Sequence, residues 1–132
     1  MIEPVDESKS LDELDPPAWG EPSNNSYLVK TCHRLRKKPI GGFSVEDLRI
    51  MIGQEIGLPW LIPLALRVLE RDPLSEGDFY PGDLLGSVLL VEKTFWERES
   101  ESHDRLFLVL DGLDEFPKEL NDAVALFRKN TV

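Results

Sequence analysis

The chain has one cysteine, Cys32, and two histidines, His33 and His103. A single thiol closes no internal disulfide, which fits a reducing compartment. Neighbouring residues on a helix point about 100° apart, so Cys32 and His33 do not share a metal ion, and no second cysteine completes a site. No metal and no cofactor are expected. A GxxxxGK[ST] phosphate loop is absent, and so is a GxSxG nucleophile elbow. Cations are in the minority, with 15 Lys and Arg against 25 Asp and Glu and a net charge of −10. Phosphate binding rests on clustered Lys and Arg, so nucleic acid is not expected as a partner. The longest apolar run, residues 58–66, is interrupted by two prolines. It falls far short of the ~20 residues that cross a bilayer, so no membrane partner is expected. The opening MIEPVDESKS lacks the apolar stretch of a secretory signal, which predicts a cytoplasmic protein. Repeats, low-complexity tracts and sustained period-two alternation are also missing.

What is present is enough for one core. The 132 residues are 41% hydrophobic, which suits a single domain. Residues 1–24 read as a loosely ordered acidic segment, with seven acids against Lys9 and prolines at 4, 16, 17 and 22. Within it, Ser10 and Glu13 have the spacing of a capping box, enough for one helical turn. Residues 25–132 read as a helical domain, and the fold class is all-α, a compact single-domain bundle.

Helical periodicity marks its elements. Leu28, Cys32 and Leu35 line a basic helix over 25–37, ended by Pro39 and Gly41–Gly42. Ser44, followed by Glu46 and Asp47, starts a second helix on which Val45, Leu48, Ile52 and Ile56 share a face, with Gly57 as its stop. A third begins at Pro59 or Trp60 and stops before Asp72-Pro73. It is apolar almost all round, so it should be the most buried, with Pro63 near its first turn. A further helix runs from Pro81 or Gly82 to Val91, and residues 94–99 extend it or form a short one. Ser102 should cap a helix over 104–113, and 121–129 the last.

Three motifs invite chemistry. LFLVLDGLDEFP, residues 106–117, looks like the Mg²⁺-binding strand of signalling NTPases, yet the phosphate loop that chemistry needs is missing; the plainer reading is an element with a polar end. DPLSEGDFYPGD, residues 72–83, has the length of a calcium loop, but its third position is Leu74 and its last is Asp83 rather than a bidentate Glu. Trp60 and Trp96 fit a core, whereas Phe79 and Tyr80 lie in a Gly/Pro/Asp loop that leaves exposure open. Cys32 fits a small core residue.

The run from Leu28 to Leu85, LVKTCHRLRKKPIGGFSVEDLRIMIGQEIGLPWLIPLALRVLERDPLSEGDFYPGDLL, together with WGEP at 19–22, resembles the immunity proteins of contact-dependent growth inhibition systems. The likeness spans about residues 11–113, and IGQEIGLPWLIPLAL and DPLSEGDFYPGDLL are its most specific parts. It implies a small helical protein, not an enzyme, that neutralises a CdiA-type C-terminal toxin domain. Many such toxins are nucleases with basic clefts, which an acidic inhibitor would suit. The expected toxin-binding element is the 72–83 loop, which carries four acids and no base. Asp72, Glu76, Asp78 and Asp83 would supply charge, and Phe79 and Tyr80 would anchor it over the toxin's active site. The competing expectation is that Asp83 merely caps the next helix and Asp72 the preceding turn. Two other functional classes remain at this point, a nucleotide-binding signalling fragment and a generic helical adaptor.

Overall fold

The computed structural model describes residues 5–130; Glu3 and Pro4 of the acidic segment, and residues 131–132, lie outside it. The described residues form eight α-helices and no strand. In order they are α1 (Leu11–Leu14), α2 (Tyr27–Arg36), α3 (Val45–Gly53), α4 (Leu58–Arg71), α5 (Asp83–Leu89), α6 (Lys93–Arg98), α7 (Ser100–Asp111) and α8 (Asn121–Asn130). Single 3-10 turns at Ile40–Gly42 and Lys118–Leu120 lead into α3 and α8.

Local chemistry sets most of the boundaries. The Ser10 hydroxyl accepts the Glu13 N–H while the Glu13 carboxylate accepts the Ser10 N–H, a full capping box on a one-turn helix. Ser44 and Asp47 repeat it on α3. Ser26 caps α2 through the Val29 N–H.

Three boundaries differ from expectation. Gly57 does not end α3; that helix is capped three residues earlier at Gln54, and the next residue, Glu55, takes a left-handed conformation (φ 56°). The Ile56 N–H then bonds to the Met51 carbonyl and the Glu55 N–H to that of Ile52, both at 2.9 Å, a Schellman closure normally built on glycine. Gly57, with φ 68°, instead starts α4, so Pro63 sits inside the helix rather than near its first turn. Its missing N–H leaves one carbonyl of the preceding turn without a helical donor. Ser102 does not cap α7, which begins at Ser100 and buries Ser102 within it.

Helix α4 is the centre of the bundle. Leu61, Ile62, Ala65, Leu66 and Leu69 have no measurable exposure, and burying each leucine or isoleucine is worth about 1.5–3 kcal/mol. It packs against α3, α5 and α7, while α3 and α5 pack on each other and α8 closes over α5.

Residues 7–20 of the acidic segment make contacts with this bundle. Leu11 is fully buried and lies against Gly57, where even a Cβ would come within 2.7 Å of its Cδ1. Arg36, itself buried, donates from Nε to Asp12 at 2.9 Å and from Nη2 to the carbonyls of Asp15 and Pro17 at 2.9 and 3.2 Å. Burial alone would raise the Asp12 carboxyl pKa, but the Trp19 N–H, Lys37 and Arg36 together hold it below its ordinary value.

Candidate functional site

The turn between α4 and α5 is short in residues and dense in carboxylates, so its backbone N–H groups have acceptors within reach. Asp83, in the first turn of α5, is buried, and its carboxylate points back into the loop. Oδ1 accepts the Gly77 N–H at 2.7 Å and Oδ2 the Phe79 N–H at 3.0 Å. From the other side Glu46, in the first turn of α3, accepts the Asp78 N–H at 2.9 Å. The Gly82 N–H bonds to the Leu74 carbonyl, and Glu76 and Pro81 form an isolated antiparallel bridge. The loop is held as one shape by side chains from two helices.

Arg49 joins these parts. It lies one turn after Glu46 and grips that carboxylate with a two-pronged contact, Nε to Oε1 at 2.6 Å and Nη2 to Oε2. Asp83 Oδ2 stands 3.9 Å from its Nε, and its guanidinium carbon lies 4.3 Å from the centre of the Phe79 ring. The pairing with Arg49 holds the Glu46 carboxyl below its ordinary pKa. Phe79 is therefore exposed yet stacked on a fixed cation.

The six residues expected to bind a partner divide. Glu76, Asp78 and Phe79 face solvent, Phe79 with 68% of its surface exposed. Asp72 is exposed and takes the Leu74 N–H at 3.2 Å, the turn-capping role of the competing expectation. Tyr80 is half-buried, and its hydroxyl packs near Gly86; burial, with Asp83 and Glu119 nearby, raises its pKa. Asp83 is internal and shapes the loop rather than presenting a charge.

Sequence reasoning missed Glu46, Arg49, Tyr27 and Leu28. The spacing of Glu46 and Arg49 on one helix face was legible, but their meeting with a loop some 30 positions away is a tertiary fact. Tyr27 and Leu28, exposed at the start of α2, adjoin Phe79 around a hollow of about 350 Å³ that Ile50, Gln54 and Asp78 also line. A second, larger hollow of about 600 Å³ lies between α6, α7 and α8, lined by Leu90, Trp96, His103, Leu126 and Phe127.

The motifs with chemical overtones resolve into structure. LFLVLD belongs to helix α7, not to a strand, and Asp111, Asp114 and Glu115 are exposed. Of the four carboxylates of the calcium-like loop, those of Asp72 and Asp83 accept backbone N–H groups, while Glu76 and Asp78 are exposed. Among the described residues no group of three or more His, Cys, Asp or Glu could hold a metal ion, and no helix is long and apolar enough to cross a membrane. Cys32 is buried, and burial pushes its thiol pKa up.

A family model described as CDI immunity proteins matches residues 13–106, most of the chain and all of α2 to α6. No curated protein and no solved structure matches.

Proposed function

The chain belongs to the CDI immunity protein family, and from that premise we propose that it neutralises its cognate toxin by laying the 72–83 loop across the toxin's active site. An immunity role and a toxin partner come with the family. The toxin's chemistry and the mode of inhibition are our reading. The observation that carries it is the loop's construction: Glu76, Asp78 and Phe79 face outward while Asp83 and Glu46 fix the backbone beneath them. A loop already held in its binding shape loses little conformational entropy on docking, so more of its contact energy appears as affinity.

The net charge of −10 argues for a basic toxin surface, as in a nuclease cleft built to hold phosphates. The inhibitor then acts by occupancy and charge pairing and performs no catalysis itself, in the cytoplasm of the cell it protects. An interface of about 1,600 Å² would be ordinary, and nanomolar binding, about −12 kcal/mol, is the least that protection asks.

The test is co-expression with the C-terminal domain of the exoprotein encoded immediately upstream. Growth rescue, with a complex that survives purification, is the expected result. Continued killing in the presence of soluble, folded chain would rule the reading out.

A further inference from the structure

The exposed apolar side chains of this protein are not scattered. Of the seven large hydrophobic residues with substantial exposure among the described residues, Tyr27, Leu28 and Phe79 border the hollow beside the loop. Tyr27 is 76% exposed and Phe79 68%, an expensive way to display two aromatic rings unless something covers them. Both are positioned from beneath. The Ser26 cap holds the first turn of α2, and Arg49 supports the Phe79 ring.

The rim adds charge. Glu46 and Asp83 already flank Arg49, while Asp78 faces solvent at the edge of the hollow. A hollow walled by Tyr27, Leu28, Ile50 and Phe79, with the mutually paired Glu46 and Arg49 in its lining and Asp78 left over as an outward carboxylate, suits a large apolar side chain followed closely by a cation. At about 350 Å³ it sits at the low end of the roughly 300–1,000 Å³ typical of small-molecule pockets, and suits a single side chain better than a free metabolite.

We infer that this hollow receives a large aliphatic or aromatic side chain of the toxin domain, with an adjacent toxin Lys or Arg pairing with Asp78. The inference rests on the immunity reading above. It moves the energetic centre of the interface from the tip of the loop to the seam between the loop and α2.

The test measures affinity between the full chain and the upstream-encoded toxin domain for wild type, Tyr27→Ala, Tyr27→Phe, Leu28→Asp and Gln54→Trp. Thermal melts of each variant check the fold. Tyr27 and Gln54 are exposed, so their replacement should leave the melt unchanged. Tyr27→Ala and Leu28→Asp should each weaken binding roughly 30-fold or more, mainly through faster dissociation. Tyr27→Phe should restore near-native affinity, and Gln54→Trp should weaken binding by filling the hollow. Wild-type affinity in Tyr27→Ala and Gln54→Trp overturns the inference. So does loss of binding in Leu90→Asp with Leu126→Asp, at the other hollow, while the Tyr27 variants bind normally. If Glu76→Lys with Asp78→Lys weakens binding and the hollow variants do not, the hollow falls and the loop reading stands. If wild type binds no toxin at all, both fall together.

Discussion

The Asp83 carboxylate is the internal acceptor that closes the 72–83 loop onto Gly77, taking that residue's N–H at 2.7 Å across six positions of chain. Its second oxygen takes the Phe79 N–H. Asp83→Ala would orphan both donors in a partly buried turn, costing about 2–4 kcal/mol of stability by urea denaturation. Asp83→Asn keeps one acceptor and should fall between. Equal stability of all three proteins would show that the two bonds do not hold the loop.

Gly77 is wedged between two carboxylates. A Cβ there would lie 2.5 Å from Glu46 Oε1 and 3.1 Å from Asp83 Oδ2. A free glutamate tip would swing aside cheaply, but this one is held by Arg49 and by the Asp78 N–H. Gly77→Ala should therefore cost about 1–3 kcal/mol. It should also loosen Phe79, read as a gain in mobility of its ring signals in NMR. An unchanged melt would mean that the loop yields easily.

Arg36 carries the docking of the acidic segment. Its guanidinium is almost fully buried and serves Asp12 and two backbone carbonyls, with the Trp19 ring 4.7 Å away. Arg36→Met leaves Asp12 largely buried and poorly matched, so a loss of about 3–5 kcal/mol is expected. Amide exchange should accelerate first in residues 5–20, and Leu11 should leave its seat against Gly57. Protection unchanged in that stretch would show that Leu11 alone holds it.

Acid should destabilise the fold through a few carboxylates. Arg49 holds Glu46 below its ordinary pKa. For Asp47 burial pushes the other way, but Lys38 and the Ser44 cap prevail, and its pKa is also lowered. A depressed folded pKa means the stabilisation is complete above the unfolded carboxyl value of about 4. It is lost as pH falls through that value toward the folded one. Glu7 with Arg67 is shifted the same way but is more than a third exposed and adds little. The melting temperature should hold from neutral pH to about pH 5 and drop below about pH 4. Glu46→Gln should flatten that drop; an identical profile would remove Glu46 from the account.

Much of this was legible from residue order. Ser10 with Glu13 announces a capping box by spacing alone, Ser44 announces the N-cap of α3, and the nearly all-apolar surface of α4 announces its burial. Gly57 misled because a glycine after an apolar helix is the usual stop, whereas here Glu55 accepts the left-handed cost and Gly57 makes room for Leu11. The contacts of the acidic segment were not legible because composition says nothing of Arg36, whose partners lie 19 to 24 residues back. The loop's charges were visible as a group, but their division was not. Whether a carboxylate faces a backbone N–H or solvent depends on the helices packed beside it, and that separates Asp83 from Asp78.

That division makes the role of the outward charges testable apart from the fold. Glu76 and Asp78 are exposed, so Glu76→Lys with Asp78→Lys should leave the melting temperature within a few degrees of wild type. If the toxin surface is basic, reversing two charges at the docking edge removes attraction and adds repulsion. Association should slow by roughly 10-fold or more at low salt. The gap should narrow as salt rises, because the screening length shrinks from about 30 Å at 0.01 M to about 8 Å at 0.15 M. Tyr27→Ala should behave oppositely, with near-native association and fast dissociation at any salt, since an apolar anchor steers nothing at a distance. Stopped-flow mixing at two ionic strengths separates the two patterns. Association and dissociation rates both equal to wild type for the charge-reversed protein at low salt would show that the outward carboxylates neither guide the toxin nor touch it, and would move the interface away from this loop.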